Sequence, residues 1–174
     1  MGRLMGIDFG TKRIGIAVSD PMNIFASPLK TVSNHEFEEF LTEYLKNEAI
    51  DGFVIGYPRT MNNEASEAVN YINPFVRKLS KTYPGIPLHL VDERFTSEMA
   101  LSAMIEGGVK KKQRMDKAMV DKISASIILQ SFLDRRKTED GRQKTEDGRQ
   151  KTEDGRPKTE DGRPKTEEPR TKNQ

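Results

Sequence analysis

The chain has 174 residues, a formal net charge of +2 and no cysteine. That excludes a disulfide framework, a thiolate metal site and a Cys nucleophile. It also leaves any nucleic-acid binding to local basic clusters rather than to overall charge. Nearly all the Val, Ile, Leu, Met and Phe fall in residues 1–136, enough for one domain with a single core and too little for two.

Met1 to Asp8 is a short apolar run that meets a carboxylate at once. It reads as neither a signal peptide nor a membrane span, so a cytoplasmic protein is expected. Arg3 to Asp8 reads as a strand, Phe9 to Lys12 as a turn, and Arg13 to Ser19 as a second strand. In that second strand Ile14, Ile16 and Val18 alternate with small residues, and the two strands form a hairpin. A third strand is expected over Ile24 to Val32, interrupted by Pro28. Asn34 is placed to cap a helix from His35 to Lys46, with Phe37, Phe40, Leu41, Tyr44 and Leu45 on one face. Gly52 to Gly56 reads as a strand, Tyr57 to Asn63 as a loop, and Glu64 to Tyr83 as a helix containing Pro74. Pro87 to Glu93 is the fifth strand, and Thr96 caps a helix to Glu106. Gly107 to Asp116 reads as a flexible basic loop, its two leading glycines marking a mobile flap. Lys117 to Arg135 is the last helix. The order β-β-β-α-β-α-β-α-α implies an α/β fold, a mixed five-stranded sheet with helices packed on it.

From Lys137 the chain repeats KTEDGRQ, then KTEDGRP. The period is seven, but no position of the heptad is apolar, so no coiled-coil seam exists. Gly or Pro in every unit opposes helix. Without apolar side chains nothing offsets the entropy of ordering, and residues 137–174 are expected to be a disordered tail.

Three acids stand where acids are costly. Asp8 ends the first strand, Glu93 closes the run Leu88, Leu90, Val91, and Asp121 shares a helix face with Ala125 and Ile128. Each alone has a plain explanation. Lys12, Arg13 or Arg94 can pair with an acid, and Asp8 can accept turn amides from Gly10 or Thr11. The three together point to a divalent cation, a hard ion that takes oxygen ligands, and so to phosphodiester hydrolysis. The turn Gly10-Thr11-Lys12-Arg13 offers amides, a hydroxyl and positive charge to a phosphate. Such a turn also opens actin-like ATPases and sugar kinases, but that architecture needs two domains and this chain holds one. The run Lys110, Lys111, Lys112 and Arg114 precedes the helix bearing Asp121. It is either a solvated loop or a grip on a phosphate backbone.

The segments GIDFGTKRIGIAVSD, VIGYPRTMN, LVDERFTSEMA and VDKISASIILQSFLD resemble, in that order, the YqgF family of RNase H-like proteins, described as Holliday-junction-resolvase-like or as pre-16S rRNA nucleases. The resemblance spans Arg3 to about Asp134. It implies an RNase H-like fold whose metal ligands are Asp8, Glu93 and Asp121, with Mg²⁺ as cofactor and Mn²⁺ as an alternative. Asp92 is set aside, because adjacent strand residues face opposite ways. Thr11, Lys12, Arg13, Arg94 and Thr96 match positions assigned to substrate contact or support. The loop after Pro58 departs from the pattern, reading Thr60-Met61-Asn62-Asn63, and the tail has no counterpart. The implied activity is cleavage of nucleic acid, with precursor 16S rRNA favoured, ribosomal particles as partners, and branched DNA or silent nucleic-acid binding as alternatives. Junction resolvases are usually two-fold dimers. No dimer surface is legible here, so a monomer or weak homodimer is expected.

Overall fold

The computed structural model describes residues 2–58, 67–92 and 96–153, without the side chains of Glu67, Thr96, Ser97 and 140–153. The chain divides into a first unit, Met1–Thr138, and a second, Glu139–Gln174. The first unit holds a five-stranded sheet in the order β3-β2-β1-β4-β5, with β1 (Arg3–Phe9) at its centre. β2 (Arg13–Ser19) and β3 (Ala26–Ser33) continue from it as an antiparallel meander. β4 (Ile50–Tyr57) and β5 (Leu88–Asp92) lie parallel to β1 on its other side. The mixed sheet expected from the order of elements is the one observed.

Period-two alternation sends the two faces of the sheet into different cores. Met5, Ile7, Ile14, Ile16, Phe53 and Ile55 point to one side. There they pack on Phe37 and Leu41 of α1 (Phe37–Asn47) and on Ile72 and Leu79 of α2 (Glu67–Thr82). Leu4, Ala17, Val54 and Val91 point to the other side, against Ala125, Ile128, Leu129 and Leu133 of the last helix. Each face removes apolar surface from water at about 25 cal/mol per Å².

Several elements differ from the sequence reading for identifiable reasons. Asn34 is not a helix cap. Its side-chain amide donates to the Gly10 carbonyl at 2.8 Å and its backbone N–H to Lys12 at 3.0 Å. It therefore ties the β1–β2 turn to a single 3₁₀ turn, Asn34–Glu36, from which α1 starts. Pro28 does not end β3. The register slips by one residue opposite Ile16 and Ala17, and β3 is an edge strand, where a missing N–H is tolerated. α2 likewise runs through Pro74.

The expected flexible loop over Gly107–Asp116 is instead a capped helix end and a short helix. α3 (Thr96–Glu106) stops in a Schellman motif. Val109 N–H bonds back to Met104 at 2.9 Å and Gly108 N–H to Ile105 at 3.0 Å, while Gly108 takes φ +72°. The glycine supplies a left-handed residue rather than a flap hinge. α4 (Lys111–Arg114) follows at once, and α5 begins at Lys117.

α5 runs to Glu153, past the Arg135 limit expected from the sequence. The helix here continues into repeats that carry no apolar side chain. Gly141 and Gly148 oppose this by about 1 kcal/mol each. The expectation of a disordered tail thus meets helix as far as Glu153, and from residue 154 it lies outside the described residues. No described helix is long and apolar enough to cross a membrane.

Candidate acidic centre

β1 carries Leu4, Gly6 and Asp8 on the face that meets α5. Leu4 is in that core, and a Cβ at Gly6 would sit 2.7 Å from the Ala125 carbonyl and from Leu129 Cβ. Asp8 is the next residue in the row and is half-buried. Its cross-strand partner is Gly15. A Cβ at Gly15 would overlap the backbone carbonyl of Asp121. Only glycine lets the helix backbone come so near the sheet. One glycine therefore stands beside Asp8 in the sheet and against Asp121 in the helix. This brings the first and third predicted acids to the same end of the same face. It is the end where the parallel strands β1, β4 and β5 finish, the usual place for a ligand site in α/β sheets.

α5 runs antiparallel to β1, with Asp121 at the Asp8 end and Leu133 in the core with Leu4. It is held along one side by Thr31, whose hydroxyl donates to Ala118 O at 2.5 Å, and by Gln130, which bonds both Ala26 N–H (2.8 Å) and Ile24 O (3.2 Å). On the other side Phe132 stacks on His89, ring centroids 4.7 Å apart. Burial pushes the His89 imidazole below its usual pKa, with Arg136 adding to the effect.

Asp121 is not left alone. Arg13 Nε donates to Asp121 Oδ2 at 2.9 Å, with the two side chains 38% and 26% exposed. Arg13 shares its strand face with Gly15 and Ala17, two and four residues on. The pairing alternative weighed for each acid thus holds for Asp121. Asp8 also has an interaction partner. Among the described residues no three acids or histidines are arranged to hold a metal ion. Glu93 and Arg94 lie outside the described residues, and Thr96 begins α3 with its side chain undescribed. The donor set that is present nevertheless fits a hard cation. It consists of two half-buried carboxylates on one face, and Arg13 offsets part of the charge of one. Asp92 pairs in register with Tyr57 and follows Val91, which faces α5, so its side chain turns to the opposite face.

The other predicted positions that are described lie at the surface. Thr11 and Lys12 are exposed in the β1–β2 turn, next to Asp8 in the chain. Lys110, Lys111 and Lys112 are exposed and Arg114 is half-buried on α4, which leads within three residues into α5. Sequence reasoning missed Gly6 and Gly15 as the seat of α5. The available signal was a glycine in each strand at the residues alternating with Met5, Ile7, Ile14 and Ile16.

Strand order, the central β1 acid and the helix laid over it define an RNase H-like protein. A solved complex of the fowlpox virus resolvase with Holliday junction DNA has the same fold, with TM-score 0.50 at 12% identity over 76% of this chain and 97% of that one. The chain belongs to the RuvX family, described as Holliday junction resolvase, which it matches over residues 2–135, and it is a nuclease. It is 53% identical over 137 residues to a protein of Bacteroides fragilis named as a candidate pre-16S rRNA nuclease, covering 79% of this chain and 99% of that protein. A protein of Porphyromonas gingivalis with the same name is 51% identical over 134 residues, covering 77% and 97%.

Proposed function

We propose that the protein is a divalent-metal-dependent nuclease of the cytoplasm that trims the 5′ end of precursor 16S rRNA during ribosome maturation. The observation that carries the metal reading is the meeting of Asp8 and Asp121 across Gly15 at the C-terminal end of β1. The RNA reading is supported by the names of relatives about half identical over nearly their whole length.

Asp8, Asp121 and Glu93 would hold the cation, Mg²⁺ foremost and Mn²⁺ in its place. Glu93 is the acid that follows the end of β5 in the sequence, and its place in the site is carried by the resemblance. When bound, such ions lower the pKa of water and stabilise a leaving oxygen in phosphodiester cleavage. The chain's own part is to fix these carboxylates on a rigid sheet and helix and to hold the substrate backbone. Thr11, Lys12, Arg94 and Thr96 would contact the substrate beside the acids. Lys110, Lys111, Lys112 and Arg114 would take phosphates at the start of α5, with affinity that falls as salt rises. The protein would act as a monomer or weak homodimer, with ribosomal particles as partners.

The family description supports a second substrate, branched DNA. The deciding experiment incubates the protein and Mg²⁺ with a labelled precursor rRNA fragment and a four-way DNA junction, beside a folded Asp8→Asn variant. Cleavage of the RNA alone, lost in the variant, is expected. Cleavage of the junction alone moves the substrate to branched DNA. Cleavage that survives the substitution removes Asp8 from the site, and binding without cleavage of either makes the protein a silent binding module.

A further inference from the structure

Arg13 is bonded to one acid of the centre and is partly open to solvent. Its Nε is fixed on Asp121 Oδ2 at 2.9 Å, while its side chain remains 38% exposed. This is a one-point contact, not the two-pronged fork that a guanidinium and a carboxylate can make. The terminal amino groups of Arg13 bond to no described residue. They keep up to four N–H donors in a fixed plane, set by the bond at Nε. The strand below is rigid, because Ile14 and Ile16 on either side of Gly15 are wholly buried. Asp121 is held in turn by the docking of its helix on Gly15. The in-plane N–H edge of such a guanidinium suits the non-bridging oxygens of a phosphodiester. Thr11 and Lys12, exposed in the turn just before Arg13, add polar groups next to it in the chain.

We propose that Arg13 is a bridging residue: its Nε orients the Asp121 carboxylate, and its terminal amino groups bind a phosphate of the nucleic acid. Substrate binding and the geometry of the acidic centre then share one side chain. This rests on the reading of Asp8 and Asp121 as the centre of a nuclease.

Two variants separate the two roles. Arg13→Gln removes both the charge and the guanidinium. Arg13→Lys keeps the charge but loses the planar fork and the Nε anchor. Binding of the cleavable nucleic acid is measured by fluorescence anisotropy over a salt series in Ca²⁺, with thermal melts to confirm folding, and cleavage is then measured in Mg²⁺ at saturating substrate. For Arg13→Gln, affinity should fall about ten-fold. The slope of log affinity against log salt should lose about 0.7 to 0.9, the value of one phosphate contact. For Arg13→Lys the salt slope should stay near that of the unaltered protein while kcat falls, because Asp121 is no longer oriented. Unchanged affinity and salt slope in Arg13→Gln would overturn the phosphate role and leave a structural ion pair. Unchanged kcat in Arg13→Lys would overturn the orienting role. If the unaltered protein neither binds nor cleaves nucleic acid, the nuclease reading itself fails, an outcome distinct from failure of Arg13 within a working enzyme.

Discussion

The two faces of the sheet are built on different plans. Towards α1 and α2 the sheet presents large side chains, with Met5, Ile7, Ile14, Ile16, Phe53 and Ile55 at or near zero exposure, and Phe37 and Leu41 fill the space above them. Towards α5 the strands β1 and β2 present glycine at 6 and 15 and alanine at 17 beside Leu4, and the helix answers with Ala125 ahead of Ile128 and Leu129. The first face is thick and apolar. The second is thin, and it trades buried volume for close approach of a helix backbone. A helix seated so near can bring a short Asp side chain beside a strand acid. Both faces bury apolar side chains, the thick face holding the larger cluster, while the thin face is where the proposed acidic centre lies.

Substitutions that separate these roles sharpen the comparison. Phe37→Ala removes a ring that packs on Phe75 at 5.3 Å between centroids. It should cost about 3–5 kcal/mol in urea unfolding while the folded fraction cleaves at the unaltered rate. A matching loss of kcat in the folded protein would break the division between the faces. Gly15→Ala should cost less, about 1–3 kcal/mol, because it overpacks rather than empties. The atom it meets is backbone, so α5 must shift, and a displacement on the order of 1 Å is enough to cost about a hundred-fold in rate. Activity close to normal in that variant would mean that the seat of α5 does not set the site. Asp121→Asn should move stability by less than about 1 kcal/mol, since its partly exposed ion pair is screened by solvent. The same variant should abolish cleavage.

The smallest effect concerns pH. The folded-state pKa of His89 lies below its unfolded value near 6.5, so the unfolded chain binds the proton more readily. Its contribution is present in full above pH 6.5 and is lost as pH falls from there through the folded pKa. His89→Phe should flatten this part of a stability profile followed by chemical denaturation between pH 7.5 and 5. An undiminished slope would assign the acid sensitivity to other groups.

The thick face was legible in the sequence, because alternation in strands and the 3.6-residue stripe of α1 both depend on large apolar side chains. Asp121 was legible for a related reason: a carboxylate in line with Ala125 and Ile128 demands an explanation. The thin face was not, since a glycine that receives a helix looks in sequence like one that merely interrupts a strand. Gly108 was misread from the same cause, as permissive backbone serves a defined cap as readily as a hinge. Asn34 satisfied the local rule for a helix cap but was taken by the Gly10 carbonyl, twenty-four residues away and invisible to local rules. The ion pair of Arg13 with Asp121 spans 108 positions, and only the fold brings the two together.

That span has a consequence for the order in which the protein becomes active. The meander of β1, β2 and β3 closes through short turns and needs only the first 33 residues, so it can form early and quickly. The acidic centre waits for residue 121, and for a helix that must dock across the finished sheet. A chain still emerging from the ribosome can thus hold its hairpin and Asp8 in place without assembling a cleaving site.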